Sequence, residues 1–197
     1  DDPAKVEINL SRLVKGLDLE PKNLVLVSQQ HGCDVLVVEG DPELLPPVEE
    51  RKYDAIVTRR TGVAVGVRTA DCCPILLVDR RTNAVGAIHA GWRGTIAGVS
   101  AAAVKAMIGT LQSRPEDLYA ALGPCIGPCC YEVADDVKAE FRKTFPGLSD
   151  VVRPHPTLGW KGLIDLRAAN RLALIGAGLD PDHVRASGWC TRCQSQL

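Results

Sequence analysis

The chain has 197 residues, 46% of them hydrophobic but only 4% aromatic, so it can bury a core built mainly from Val, Leu, Ile and Ala. Its formal net charge is -1 with no basic block, which excludes bulk charge as a basis for binding nucleic acid or an anionic membrane. No apolar run reaches membrane-spanning length and no signal peptide opens the sequence, so we expect a cytoplasmic protein that keeps its eight cysteines reduced.

Asp1 to Leu19 carries a loose helical pattern in Val6, Leu10, Leu13, Val14 and Leu17, ended by Pro21. Strands are expected at Leu24–Val27, Asp34–Val38, Ala55–Thr58 and Val63–Val67, with the Pro- and acid-rich stretch Gly40–Lys52 a loop. Pro74–Asp79 and Ala84–His89 read as a hairpin around the polar turn Arg80–Asn83. Thr95 is placed to cap a helix reaching about Leu111, followed by a strand at Leu118–Leu122 and an ordered loop at Gly123–Val133. Helices at Asp135–Phe145 and Leu166–Ala177 flank an irregular stretch, Pro146–Lys161, and Val184–Ser187 is a last strand. Short strands in runs with helices between them predict an α+β fold with a mixed sheet. We expect one domain over residues 1–197, with residues missing at both ends.

The hairpin brings chemistry together. Cys72 lies just before its first strand and His89 at the end of its second, so antiparallel pairing sets a thiol beside an imidazole. His31, followed by Gly32, is the other histidine with a glycine close behind it. Two histidines and a cysteine can bind Zn²⁺ and leave a fourth position for water. The bland alternative is that both histidines are satisfied loop or core residues and Cys72 is merely buried. Cys72 and Cys73 are neighbours, so only one of them can face the site. Asp71 suits a proton carrier or a partner that orients a ligating histidine, with a turn acid as the bland reading.

Other groups carry weaker signals. Gly91–Gly94, ahead of a helix, suits an anion, with Arg93 as the fork for phosphate and Arg59, Arg60 and Arg68 adding charge. His155, in Arg-Pro-His-Pro, reads as solvated, and His183 as the start of a turn. Cys190-x-x-Cys193 has half a zinc-finger spacing and would complete a structural site with Cys125, Cys129 and Cys130, but the second half has no matching Cys-x-x-Cys. The zinc nucleobase deaminase signature is absent: no histidine has Glu two residues on.

Five blocks are more specific: QQHG at 29–32, DAIVT at 54–58, TADCCPILL at 69–77, AIHAGWRG at 87–94 and GPCIGPCCYEV at 123–133. Together they resemble the YfiH family, also called the multicopper polyphenol oxidase or laccase domain, whose members are described as purine nucleoside phosphorylases. The resemblance spans nearly the whole chain. It implies a single α+β domain with mixed sheets in a sandwich-like core and flanking helices. It also implies zinc held by His31, Cys72 and His89, and activities of phosphorolysis of adenosine, inosine, guanosine and methylthioadenosine plus adenosine deamination. Purine nucleosides and phosphate are then the partners, with no nucleic acid and no membrane, in a monomer or homodimer. Family members usually continue with a segment rich in Tyr and Arg after the Cys-Thr motif, which this sequence lacks. Four histidines and one methionine cannot supply several copper centres, although a single copper at His₂Cys is compatible with the ligands. Catalysis is expected from His31, Cys72, His89 and Asp71, with Arg93, Arg59 and Arg68 toward substrate and phosphate. The competing classes are a metal-free cysteine hydrolase with Cys72 as nucleophile and a His base, as in cell-wall peptide editing, copper-dependent polyphenol oxidation, and a non-enzymatic metal-binding module.

Overall fold

The structure is a computed structural model that describes residues 2–194. Asp2 caps the first helix, α1 (Pro3–Gly16), by accepting from the Ala4 N–H at 3.1 Å. There follow β1 (Leu24–Val25), β2 (Val35–Val38), β3 (Ala55–Thr58), β4 (Ala64–Val65), β5 (Cys73–Asp79), β6 (Val85–Ala90), α2 (Trp92–Ala97), α3 (Val99–Gly109), β7 (Leu118–Leu122), β8 (Glu132–Val133), α4 (Asp135–Thr144), β9 (Val152–Pro154), β10 (Gly162–Ile164), α5 (Leu166–Gly176) and β11 (Val184–Ala186).

The main sheet has six strands in the order β11-β7-β5-β6-β3-β2. Its four central strands are antiparallel to one another, while β11 on β7 and β2 on β3 run parallel. The sheet is therefore mixed, as an α+β chain with hairpins and helical crossovers requires. A parallel β1-β4 ribbon and a small antiparallel sheet, β8-β10-β9, complete the strands.

Alternation decides what each face buries. Cys73, Ile75 and Leu77 of β5, with Ile88 and Ala90 of β6, point toward α3 and α5 and join Val99, Ala103, Met107, Leu166 and Leu174 in the larger core. Burying one such aliphatic side chain is worth about 1.5–3 kcal/mol. The other face is covered on the β2–β3 side by the β1-β4 ribbon, through a second cluster of Val25, Val27, Val38 and Ile56. On the β5–β7 side that face stays open, where Leu76 and Val78 are exposed around an apolar hollow.

The helix expected from Thr95 to Leu111 is instead two. Gly98 takes φ +84 and breaks it, and the first piece starts at Trp92. Thr95 is not a cap: it is buried and accepts from Asn170 Nδ2 at 2.9 Å, while Ser100 Oγ donates to Asn170 Oδ1 at 2.7 Å. This buried triad bolts α2, α3 and α5 together. Strands β9 and β10 fall where no strand was expected. Each is three residues long, too short for a periodic signal, and exists because the two pair with each other. Among the described residues, no helix is long and apolar enough to cross a membrane.

Candidate metal centre

The hairpin closes with Pro74 opposite His89 and Cys73 opposite Ala90. Cys72, one residue before β5, therefore lies beside His89. On the other flank of β6, Ala55 pairs with Ile88, which sets Asp54 next to His89, and the His89 N–H donates to the Asp54 carbonyl at 2.8 Å. His31 arrives from the loop between β1 and β2. The candidate ligand atoms of His31, Cys72 and His89 all lie within 4.8 Å of one another. The two imidazoles meet edge to face, with centroids 4.8 Å apart.

Asp54 organises this site, and its role was not foreseen. It is buried, and its carboxylate accepts from the backbone N–H groups of Gln30 (3.1 Å), His31 (2.9 Å) and Gly32 (2.7 Å). His89 Nδ1 lies 2.8 Å from the same carboxylate. A carboxylate there fixes the proton on Nδ1 and leaves the Nε2 lone pair for a metal. The orienting role allowed for Asp71 thus belongs to Asp54. The available signal was an acid standing directly before a mostly apolar strand, in DAIVT.

The loop geometry also differs from expectation. His31 itself, not Gly32, is left-handed, at φ +59. A non-glycine residue there costs about 1–3 kcal/mol, offset by the three amides gathered on Asp54. Gly91 matters for another reason. A Cβ on it would lie 2.9 Å from His31 Cδ2 and 3.1 Å from Cys72 Sγ, so only glycine lets the β6–α2 corner back onto both side chains.

Of the vicinal pair, Cys72 faces the site and Cys73 is fully buried in the core. Burial pushes the Cys72 thiol pKa up, and the negative charges of Asp71, Cys125 and Asp54 push it further. A cation is what would turn this thiol into a thiolate. Tyr131 is pushed up to about 12 by burial and by Cys72, against the pull of Arg93, and so stays a neutral phenol.

A cavity of about 510 Å³ opens over the site, walled by Ser28, Gln29, His31, Arg68, Asp71, Cys72 and His89 among others. Gln29 clamps Arg68 through its backbone, accepting from the Arg68 N–H and donating to the Arg68 carbonyl, both at 2.7 Å. Asp71 accepts from Thr191 Oγ1 at 2.5 Å. The other arginines stand apart from this wall. Arg93 stacks over the Trp92 ring, 4.3 Å from its centroid. Arg59 lies past the far end of β3, roughly 16 Å of strand from Asp54 at ~3.3 Å per residue. His155 is not solvated as expected: it is largely covered and 3.5 Å from Glu132. His183 stacks on Tyr119 at 3.7 Å, away from any ligand cluster. The structure also brings Cys129, Cys130, Cys190 and Cys193 together, leaving Cys125 outside.

Residues 1–197 match the family described as multi-copper polyphenol oxidoreductase laccase, and the chain belongs to that family. Over 183 residues it is 40% identical to adenosine deaminase RL5 from an unknown prokaryotic organism, covering 91% of this chain and 68% of that protein. Over 151 residues it is 44% identical to purine nucleoside phosphorylase ORF3 of Streptomyces griseus, covering 75% of this chain and 58% of that protein. Purine nucleoside phosphorylase YlmD of Geobacillus stearothermophilus is 35% identical over 213 residues, matching 100% of this chain and 73% of its own length. The crystal structure of that YlmD superposes with a TM-score of 0.86 at 34% identity, over 96% of this chain and 71% of that one. Bacillus licheniformis YfiH gives 0.86 at 28% identity, over 96% and 72%.

Proposed function

We propose that this chain carries the catalytic centre of a zinc-dependent purine nucleoside phosphorylase that also deaminates adenosine. The observation that carries the reading is the His31–Cys72–His89 cluster, set by Asp54 at the floor of an open polar cavity. The donor set fits a catalytic zinc: two imidazoles, one with its outer nitrogen held by a carboxylate, one thiol, and room for a fourth position. Zinc there supplies Lewis-acid polarisation at that open position.

The remaining work falls to the chain. The cavity is within the usual range for small-molecule sites. Arg68, its backbone locked by Gln29, brings positive charge to the wall for phosphate. In phosphorolysis, phosphate attacks C1′ of the ribose, the bond to the purine nitrogen breaks, and Asp71 is placed to hand the departing base a proton. In deamination, water adds at C6 of adenine and ammonia leaves, with Asp71 carrying the proton between them. The relatives named purine nucleoside phosphorylase and adenosine deaminase support both reactions. We place the protein in the cytoplasm, acting on nucleosides and phosphate.

A multicopper site is disfavoured. Among the described residues only one metal-type cluster contains histidine, and the other is all thiol. The cysteine hydrolase reading has less support, because burial and the neighbouring negative charges raise the Cys72 pKa and so oppose a free thiolate. The test is elemental analysis with turnover of inosine and adenosine in phosphate, before and after chelation. Chelator-sensitive release of hypoxanthine and adenine from protein containing zinc supports the assignment. Activity untouched by chelator in metal-free protein refutes it.

A further inference from the structure

The four cysteines gathered away from the cavity floor form a second centre. Cys129 and Cys130 sit in the turn that follows Gly127, where the N–H groups of Cys130 and Tyr131 both donate to the Gly127 carbonyl at 2.9 Å. That tight winding sends two vicinal thiols the same way, which an extended pair would not do. Cys190 and Cys193 come from the last described stretch, which lies against the 125–131 loop through a parallel bridge of Cys125 with Cys190 and a Thr191 N–H donated to the Cys125 carbonyl at 3.2 Å. All four sulfurs lie within 4.8 Å of one another, with Cys193 Sγ 3.4 Å from Cys129 Sγ and 3.2 Å from Cys130 Sγ. Four sulfurs about 2.3 Å from one ion at tetrahedral angles are about 3.8 Å apart, so the set needs only small adjustments to close on a metal. The Gly127 N–H donates to Cys190 Sγ at 3.2 Å, a bond that favours thiolate. Arg167 donates to the carbonyls of Ser187 and Trp189 at 2.8 Å each, bringing a cation to the same segment.

We infer that Cys129, Cys130, Cys190 and Cys193 bind one Zn²⁺ as a closed tetrathiolate site, distinct from the His31–Cys72–His89 centre. Binding releases to solvent whatever protons the four thiols still carry and leaves the sulfurs at their original oxidation level. With no open position, the ion is structural. It ties two segments some sixty residues apart, and between Cys190 and Cys193 it fixes Thr191, whose hydroxyl holds Asp71 at the cavity wall.

The experiment uses the full chain, purified in reductant, and its His31→Ala/Cys72→Ser variant, both changes lying in loops. That variant should retain one zinc per chain, and X-ray absorption at the zinc edge should find sulfur neighbours only, at about 2.3 Å. Cys129→Ser/Cys193→Ser should lose that ion. If this cysteine variant does not fold, stepwise mercurial titration of the His31→Ala/Cys72→Ser variant replaces it, with zinc expected to leave in step with the thiols consumed. A His31→Ala/Cys72→Ser variant holding no zinc, nitrogen neighbours at its zinc edge, iron in place of zinc, zinc that stays bound after all thiols are consumed, or a Cys130–Cys193 disulfide in reductant-purified protein would each overturn the inference.

Discussion

Replacing Asp54 by asparagine tests the logic of the metal centre with a nearly isosteric change. Oδ2 of Asp54 accepts from Gln30 and Gly32, and Oδ1 from His31 and His89. An amide has one acceptor oxygen. Whichever way the new side chain turns, its NH₂ faces two of those donors, so two bonds to a charged acceptor are lost in a buried place. At about 1.5–3 kcal/mol each, the metal-free protein should lose roughly 3–6 kcal/mol of stability. One orientation frees the 30–32 loop that presents His31; the other frees His89 and its tautomer. Either should weaken zinc binding by about 10–100-fold, the usual effect of removing a partner that orients a ligand. Urea unfolding of metal-free protein measures the first effect, and competition with a fluorescent chelator the second. A variant that binds zinc within about twofold of the parent would refute the argument that Asp54 sets both histidines.

Cys72→Ala should remove zinc from the His31–Cys72–His89 centre and abolish turnover, measured by elemental analysis and purine release; full activity without that ion would sink the scheme. Gly91→Ala should drive a methyl against His31 and Cys72 and weaken zinc affinity by roughly tenfold or more, with circular dichroism unchanged; unaltered affinity would mean the corner yields freely. Asp79 is a stability test remote from the site. Burial would raise its pKa, but Ser113 and the N–H groups of Arg81 (2.7 Å) and Thr82 (3.0 Å) more than offset that, bringing it to about 2. Ser113 contributes although neither its Oγ nor Asp79 Oδ2 completes a well-formed hydrogen bond. Because the folded pKa is depressed, this stabilisation is present above about pH 4 and disappears as pH falls through about 2. Asp79 exposes no surface but sits just under a turn, so solvent screening leaves about 1–2 kcal/mol. Asp79→Asn should cost that amount at neutral pH and only a small part of it near pH 2, read from denaturant unfolding at both; an equal cost at both would show that the charge is not its source.

The strands and most helices were legible because their signals are local. PILLVD and its return strand are short apolar runs around a polar turn, and Asp165 announces a helix that it does cap, accepting from Arg167 and Ala168. The break at Gly98 and the strands β8, β9 and β10 were not legible, since one turns on a single backbone angle and the others are only two or three residues long and form through pairing with one another. The hairpin alone placed Cys72 beside His89, because antiparallel pairing dictates which ends meet. Sequence order says nothing about which acid faces which imidazole. Asp54 reaches His89 only because β3 pairs with the far flank of β6, whereas Asp71, adjacent to Cys72 in the chain, is turned toward Thr191. The four-cysteine cluster follows the same rule. A Cys-x-x-Cys and a vicinal pair carry no shared spacing, and only the packing of the 125–131 loop against the last stretch makes them one set. Residue types and short-range pattern therefore determined the elements and the available chemistry, while long-range strand pairing, which depends on burial of whole faces, decided which groups act together.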